Sequence, residues 1–290
     1  MSAPTLKYQL KQLCARNRDG SHSTQANRLR ILALCADELK ALGFVQMNTH
    51  SLKGKHVAAL VQHWQANDKS TATIKNRMAA LRWWAEKINK PQVIAKDNGF
   101  YGIDRRQYVT NEDSSRTLNQ DKLNIIQNEH IQLSLQLQAA FGLRREECMK
   151  FQPAYADQGD HLKLKPSWCK GGRERMIPIR TEAQRQLLQQ CHALAGSGSM
   201  IPTHKTYAQQ LRMYTYWTMQ AKLDKNHGLR HRYAQERYAE LTGWPCPKQG
   251  GPVSKQLTPE QKALDFKVRV QISNELGHER EQVTAVYLGR

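Results

Sequence analysis

A chain of 290 residues, 39% of them hydrophobic, is long enough for two domains that each bury a core. A formal net charge of +19 and an isoelectric point near 9.8 make it self-repelling except against a polyanion, so nucleic acid is the expected partner. No apolar run reaches the ~20 residues that span a bilayer, and Met1 to Leu13 alternates polar and apolar residues without a signal-peptide core, which excludes a membrane role and implies a soluble intracellular protein.

Basicity is spread along the chain. There are 16 Lys/Arg against 6 Asp/Glu in residues 1–100 and 28 against 19 in residues 101–290, as expected if both halves grip one long polyanion. Cys14, Cys35, Cys148, Cys169, Cys191 and Cys246 show no C-x-x-C pair and no regular spacing, and read as reduced structural thiols.

In chain order, apolar residues recur at helical spacing from His22 to Leu42, where Gly43 stops the pattern, then from Leu52 to Trp64 and from Ser70 to Ile88. Residues 1–95 are therefore expected to form a small helical domain. Arg28, Arg30, Lys53, Lys55, Lys75, Arg77 and Arg82 fall on or beside these helices as candidate phosphate contacts. Trp83 and Trp84, at helical spacing, read as core packing rather than as base-stacking platforms.

Periodicity fades between Pro91 and Arg116, where prolines, glycines and Asn111-Glu-Asp-Ser-Ser115 suggest a linker, placed at 96–116. A second domain, 117–290, is expected to begin with a helix capped by Asn119 and another from about Glu129 to Phe141, ended by Gly142. Leu162 to Lys165 alternates like a strand, Lys170-Gly-Gly-Arg173 supplies a turn, and Arg175 to Ile179 reads as the returning strand of a hairpin with a lysine at its tip. Helical patterns resume over Thr181–Ala195, Thr206–Leu223 and Leu229–Leu241. A Gly/Pro-rich stretch follows, and Thr258-Pro259-Glu260-Gln261 then opens a helix to Glu275 with an N-cap, a proline at the first turn and a capping box. The predicted fold class is mainly α with a small β-hairpin.

Breaking a phosphodiester by in-line attack needs a nucleophile, cations for the non-bridging oxygens and a proton source for the departing 5′ oxygen. Tyr287 is a candidate nucleophile, Arg144 and Arg230 candidate forks on phosphate, His227 and His278 candidate proton carriers near neutral pH, and Lys170 a candidate acid. Were Tyr287 not the nucleophile, Tyr233 and Tyr238 would be the alternatives; were Lys170 not the acid, Lys165 or Arg173 would be. A zinc site at His227 and His231 is disfavoured, because no glutamate follows the first histidine and no third ligand is near. His22, His50, His56, His63 and His204 belong to no such constellation.

Taken together, these motifs resemble those of tyrosine recombinases of the phage-integrase family. Phe141-Gly-Leu-Arg-Arg-Glu-Glu147 is similar to the family's first box, with Arg144 in the catalytic position and Glu147 as its supporting acid. Cys169-Lys-Gly-Gly-Arg-Glu-Arg-Met-Ile-Pro-Ile179 is similar to the hairpin box, with Lys170 as the catalytic lysine. His227-Gly-Leu-Arg-His231 gives His227 and Arg230, and Leu276-Gly-His278 followed by Tyr287 completes the set.

The resemblance implies an N-terminal core-binding domain and a catalytic domain that cleaves and rejoins DNA through a 3′-phosphotyrosine, without metal or nucleotide cofactor. In this reading Arg144, Arg230 and His278 hold the phosphate, His227 assists proton transfer and Lys170 protonates the leaving oxygen. It further implies duplex DNA with specific recombination sites as partner, a homotetramer on DNA, accessory DNA-bending or directionality proteins, a cytoplasmic, nucleoid-associated location and service to a mobile genetic element. The sequence departs from the family's pattern in the long stretch from Arg230 to His278, with an insertion around 243–257, and in ending three residues after Tyr287. The alternatives are a type IB topoisomerase-like enzyme with the same chemistry, or a catalytically idle DNA-binding protein.

Overall fold

The computed structural model describes residues 5–106, 108–110, 112–278 and 280–290. The chain divides into two units, Met1–Gln107 and Tyr108–Arg290, each with its own hydrophobic core.

The first unit contains α1 (Leu6–Arg16), α2 (His22–Ala41), α3 (Gly54–Ala66) and α4 (Thr71–Lys87). Thr5, Ser21 and Ser70 cap α1, α2 and α4 by accepting backbone N–H groups that a helix start leaves unpaired. The first of these helices departs from the alternation read in Met1 to Leu13. Leu6, Leu10 and Leu13 are spaced by four and three residues, which lines them on one helical face against the core, while residues 1–4 lie outside the described ones. Trp83 and Trp84 belong to the first core, as their spacing suggested, with their indole N–H groups donating to Asp19 and the Thr49 carbonyl, and the fully buried Trp64 donates to Glu38.

The expected linker is partly structured. Ile94 and Ile103 are buried in the first core, with short 3₁₀ turns at Pro91–Val93 and Gly99–Tyr101 between and around them. On the other side of the boundary, the Arg116 N–H donates to the Gly228 carbonyl and Asp113 accepts from Gln235. Turns of three residues carry no periodicity, which is why the sequence read them as loop. Gln107 and Asn111 of that stretch lie outside the described residues.

The second unit runs α5 (Gln120–Asn124), α6 (Glu129–Phe141), α7 (Arg145–Lys150), α8 (Pro153–Ala156), β1 (His161–Leu164), β2 (Arg175–Pro178), α9 (Glu182–Ala195), α10 (Tyr207–Gln220), α11 (His227–Thr242), α12 (Pro259–Glu275) and α13 (Glu281–Leu288). Helix α6 is buried almost all round and packs against α7, α9, α10 and α11. Strands β1 and β2 pair antiparallel, with Leu162 opposite Ile177 and Leu164 opposite Arg175 on the buried face. The Tyr233 hydroxyl and the Arg237 guanidinium both donate to Glu275, locking α11 to α12, so the turn after α12 is held against Arg230. The 243–257 segment is folded, with 3₁₀ turns at Pro247–Gln249 and Ser254–Gln256 and with Cys246 and Leu257 buried.

Candidate active site

Helix α7 begins at the first box, and its opening turn builds the electrostatic centre of the second unit. Glu147 is fully buried; one carboxylate oxygen accepts the Arg144 backbone N–H at 2.6 Å, and the other accepts Arg144 Nη1 at 2.7 Å. Arg175, buried at the start of β2, donates to both oxygens at 2.8 and 2.6 Å. Burial alone would raise the Glu147 pKa, but the charge and hydrogen bonds of Arg175, then Arg230 and Arg144, outweigh it and hold the carboxyl at about 2.

Arg144, Arg175 and Arg230 also converge on one backbone oxygen, the carbonyl of Leu276. The next residue must let this turn pass beside them. Gly277 has φ of +67°, and a Cβ there would meet Arg175 Nη1 at 2.8 Å, so another residue would strain the backbone and displace the Arg175 guanidinium.

Arg230 is 1% exposed and donates to the Gly142 carbonyl at 2.5 Å, while its Nε donates to the Tyr287 hydroxyl at 3.3 Å. Burial, with help from Arg175 and Arg144, draws Arg230 down to about 10, against the opposing pull of Tyr287 and Glu147; it stays cationic at neutral pH. Helix α13 supplies Tyr287, which is 4% exposed. Its hydroxyl also lies 3.3 Å from His278 Nε2, which in turn is 3.4 Å from Arg230 Nη2. Burial first, then Arg230, Arg144 and Arg175, lower His278 to about 3, so the ring is neutral. Because a guanidinium only donates, an Nε2 facing both it and the phenol serves best as acceptor, with the ring proton on Nδ1.

His227 stands at the start of α11 beside a cleft lined by Gln138, Arg145 and Asn226, with its ring centroid 6.1 Å from that of Tyr287. Desolvation of its ring, followed by the Arg230 and Arg144 charges, lowers its pKa. One turn on, His231 is buried and meets the Tyr287 ring at a tilt of 50°, centroids 4.6 Å apart, with burial and then His227 and Lys248 lowering it to about 4.

Arg144, Glu147, Arg230, His278 and Tyr287 are thus joined in one hydrogen-bonded cluster, with His227 at its edge. Lys170 stays outside it, exposed on the connection between β1 and β2. Of its alternatives, Lys165 donates to Gln152 and lies over the Tyr155 ring. Tyr233 is bonded to Glu275 and Tyr238 to Asp265, and burial followed by these carboxylates raises both phenols, so neither hydroxyl points into the arginine cluster as that of Tyr287 does.

Two of the candidate phosphate contacts in the first unit have internal duties instead. Arg77 pairs with Glu38 at 3.0 Å over the Trp64 ring, and Arg82 donates to the Ala95 carbonyl and Asn98, because each sits on the α4 side that packs against the unit. Arg30, Lys53 and Lys55 are exposed; Lys75 is half-buried, and Arg28 lies over the Trp83 ring at 4.2 Å.

Sequence reasoning missed Arg175. Its signal was present: in Arg175-Met-Ile177 the alternation that buries Ile177 also buries Arg175, and a cation on an inward face demands an acid. It also gave no role to His231 beyond rejecting a zinc site; among the described residues no cluster suited to a metal occurs.

Comparison with known proteins bears on this geometry. Residues 1–93 match the family described as phage integrase, N-terminal, and residues 107–236 match the integrase family. The chain belongs to the phage-integrase family of tyrosine recombinases. No curated protein matches it. This recombinase shares its fold with the Tn1549 transposon integrase (residues 82–397) in complex with circular intermediate DNA, at TM-score 0.55 and 15% identity over 99% of this chain and 96% of that one. It is similarly related to the XerH site-specific recombinase in a post-cleavage complex with a palindromic difH substrate, at TM-score 0.57 and 16% identity over 98% and 81% of the two chains. A lambda integrase tetramer bound to a Holliday junction aligns at TM-score 0.57 and 14% identity over 96% and 79%. As in the sequence reading, no helix among the described residues of this recombinase is long and apolar enough to cross a membrane.

Proposed function

We propose that this recombinase cleaves and rejoins duplex DNA at specific sites through a 3′-phosphotyrosine at Tyr287, on behalf of a mobile genetic element. The observation that carries the reading is the phenol of Tyr287, held between a buried guanidinium and a neutral imidazole, beside two further arginines that share a single carboxylate. Positive charge in excess at that point suits a phosphate oxygen, which would take over the arginine hydrogen bonds now directed at the Leu276 carbonyl.

In the proposed step the bound phosphate offsets the Arg230, Arg144 and Arg175 charges that add to burial in depressing His278, and the Tyr287 oxygen attacks the scissile phosphorus as its proton passes to the His278 ring so released. The bond from phosphorus to the 5′ oxygen breaks, and that oxygen takes a proton from Lys170, whose exposed position requires the β1–β2 connection to approach the bound DNA. Arg144 and Arg230 carry the charge of the transition state, and Arg175 and Glu147 fix their orientation. His227, whose ring lies beside that of Tyr287, assists proton transfer. Rejoining is the reverse, with a 5′ hydroxyl as nucleophile; the phosphodiester energy is kept in the tyrosyl ester, so neither metal nor nucleotide enters. The first unit supplies further backbone contacts through Arg28, Arg30, Lys53, Lys55 and Lys75. Assembly as a homotetramer on paired sites, a cytoplasmic, nucleoid-associated location and help from DNA-bending or directionality proteins belong to the same proposal.

Covalent capture tests it. Nicked duplexes of random sequence, in which the cleaved fragment diffuses away, should yield a denaturant-stable protein–DNA adduct with the wild-type chain, and sequencing of the captured DNA should return a preferred site. Tyr287→Phe should bind the recovered site as well as wild type and form no adduct. An adduct in the variant would move the nucleophile elsewhere.

A further inference from the structure

The segment from Gly243 to Leu257, where an insertion is expected, lies against the helix that carries Tyr287. Helix α13 has eight residues, and three of them, Val283, Thr284 and Val286, are β-branched. Such a helix is marginal by itself, and its last carbonyls need partners from outside.

Those partners are specific. Lys248 Nζ donates to the Val286 carbonyl at 3.0 Å, Gln235 Nε2 donates to the Tyr287 carbonyl at 3.2 Å, and Arg269 Nη1 donates to the Gly289 carbonyl at 3.0 Å. A positive side chain at a helix C-terminus is also favoured by the helix dipole. The lysine is itself held in place. The Gln249 N–H and the Gly251 N–H both donate to the Cys246 carbonyl, and the turn is wound so tightly that a Cβ on Gly251 would fall 1.7 Å from the Pro245 carbonyl oxygen. Gln249 then bonds Asp113 at 2.7 Å and Gln235 at 2.9 Å, and Gln235 bonds Asp113 at 2.8 Å, which ties the turn to α11 and to the start of the second unit. The backbone at Gly289 packs on Pro247 and Lys248.

We propose that the 243–257 segment is a clasp on the nucleophile's helix, in which Lys248 is a positioning residue for Tyr287. By holding the Val286 carbonyl it fixes the register of α13, and with it the distance of the phenol from Arg230 and His278. The clasp and the nucleophile belong to the same protomer, so the insertion serves the cleaving site directly rather than a neighbouring copy. Lys248 touches no reacting atom; its effect falls on the rate of the cleavage step and not on DNA affinity. This inference rests on Tyr287 as the nucleophile.

The test uses the full chain and the nicked duplex recovered by covalent capture. Lys248→Met keeps the apolar stem and loses the ammonium, and should slow single-turnover adduct formation at saturating DNA by about tenfold, the scale of one charge-assisted hydrogen bond lost from a positioned group. DNA affinity should change less than about twofold, since the site's own cations are untouched. Lys248→Arg, which can still donate to Val286, should restore most of the rate. In the free protein, hydrogen exchange of residues 281–288 should quicken in Lys248→Met and not in Lys248→Arg, while α11 and α12 stay protected. Wild-type cleavage by Lys248→Met, or equal slowing in both variants, overturns the clasp. So does a loss of DNA binding and of exchange protection throughout the unit, which would make Lys248 a general stability residue. Tyr287→Phe run alongside separates the two claims: an adduct there removes the nucleophile assignment itself, whereas no adduct there with an unaffected Lys248→Met removes only the clasp.

Discussion

In the first unit Arg77 meets Glu38 one to one, with the Trp64 ring covering the pair and its indole N–H sharing the carboxylate. In the second, Arg144, Arg175 and Arg230 surround the single carboxylate of Glu147, and the unsatisfied remainder is directed at a backbone carbonyl next to Tyr287. A balanced buried pair is a packing device. A buried excess of one sign is costly for folding and is retained where a ligand of opposite charge completes it. By this criterion Arg77 is a packing residue, and the arginines around Glu147 are the ones the proposed function calls on.

The comparison breaks most easily at the two glutamates. Replacing each by its neutral isostere asks the same question of both units. Glu147→Gln leaves the buried guanidiniums of Arg175 and Arg230, and the partly exposed one of Arg144, without an anion and should destabilise the second unit by about 3–5 kcal/mol, seen as a lowered unfolding midpoint in urea. Glu38→Gln keeps an acceptor for Trp64 and Arg77 and should cost the first unit only about 1 kcal/mol. Equal losses would mean that the charge excess around Tyr287 is not real.

A smaller effect comes from protons. His231 and His278 have folded values of about 4 and about 3, lowered from 6.5, so the unfolded chain takes up protons that the folded one refuses. Their contribution is intact above about pH 6.5 and is lost as pH falls from there towards 4 for the buried His231 and towards 3 for the half-buried His278, at up to about 1.4 kcal/mol per pH unit for His231 and less for His278, which solvent screens in part. Glu147, held at about 2, acts only in the lower window between its ordinary value of 4.5 and 2. His231→Phe keeps a ring against Tyr287 and should flatten the fall in the second unit's stability between pH 6.5 and 4.5. An unchanged slope would show that His231 is solvated, and with it the back of the site.

Much of this was legible in the sequence, for reasons that differ by element. Thr258-Pro-Glu-Gln261 specifies a helix start through short-range hydrogen bonds, and the structure makes both arms of that capping box. Gly142 and Gly277 mark turns that follow α6 and α12. Helix α13 was not legible, because Val283, Thr284 and Val286 argue against a helix and its support comes from Lys248, Gln235 and Arg269, remote in sequence. The same holds for Arg77 and Arg82: position on a basic helix was visible, but the Glu38 and Asn98 partners that turn them inward were not. Charge in a sequence counts cations; only packing tells which are already used.

The central claim is that the arginine excess exists to hold a phosphate charge, and it can be read by removing that charge. Arg144 is the member to change, since its side chain is 18% exposed and its loss leaves Glu147 paired to Arg175. On an ordinary nicked duplex Arg144→Ala should lose adduct formation by about 10²–10³-fold, as when one donor to a developing oxyanion is removed. On the same duplex with a neutral methylphosphonate at the scissile position, the variant should approach the wild-type rate, because no negative oxygen remains for the missing guanidinium to neutralise. A variant as impaired on the neutral substrate as on the charged one would contradict the account and reduce Arg144 to a scaffold for α7.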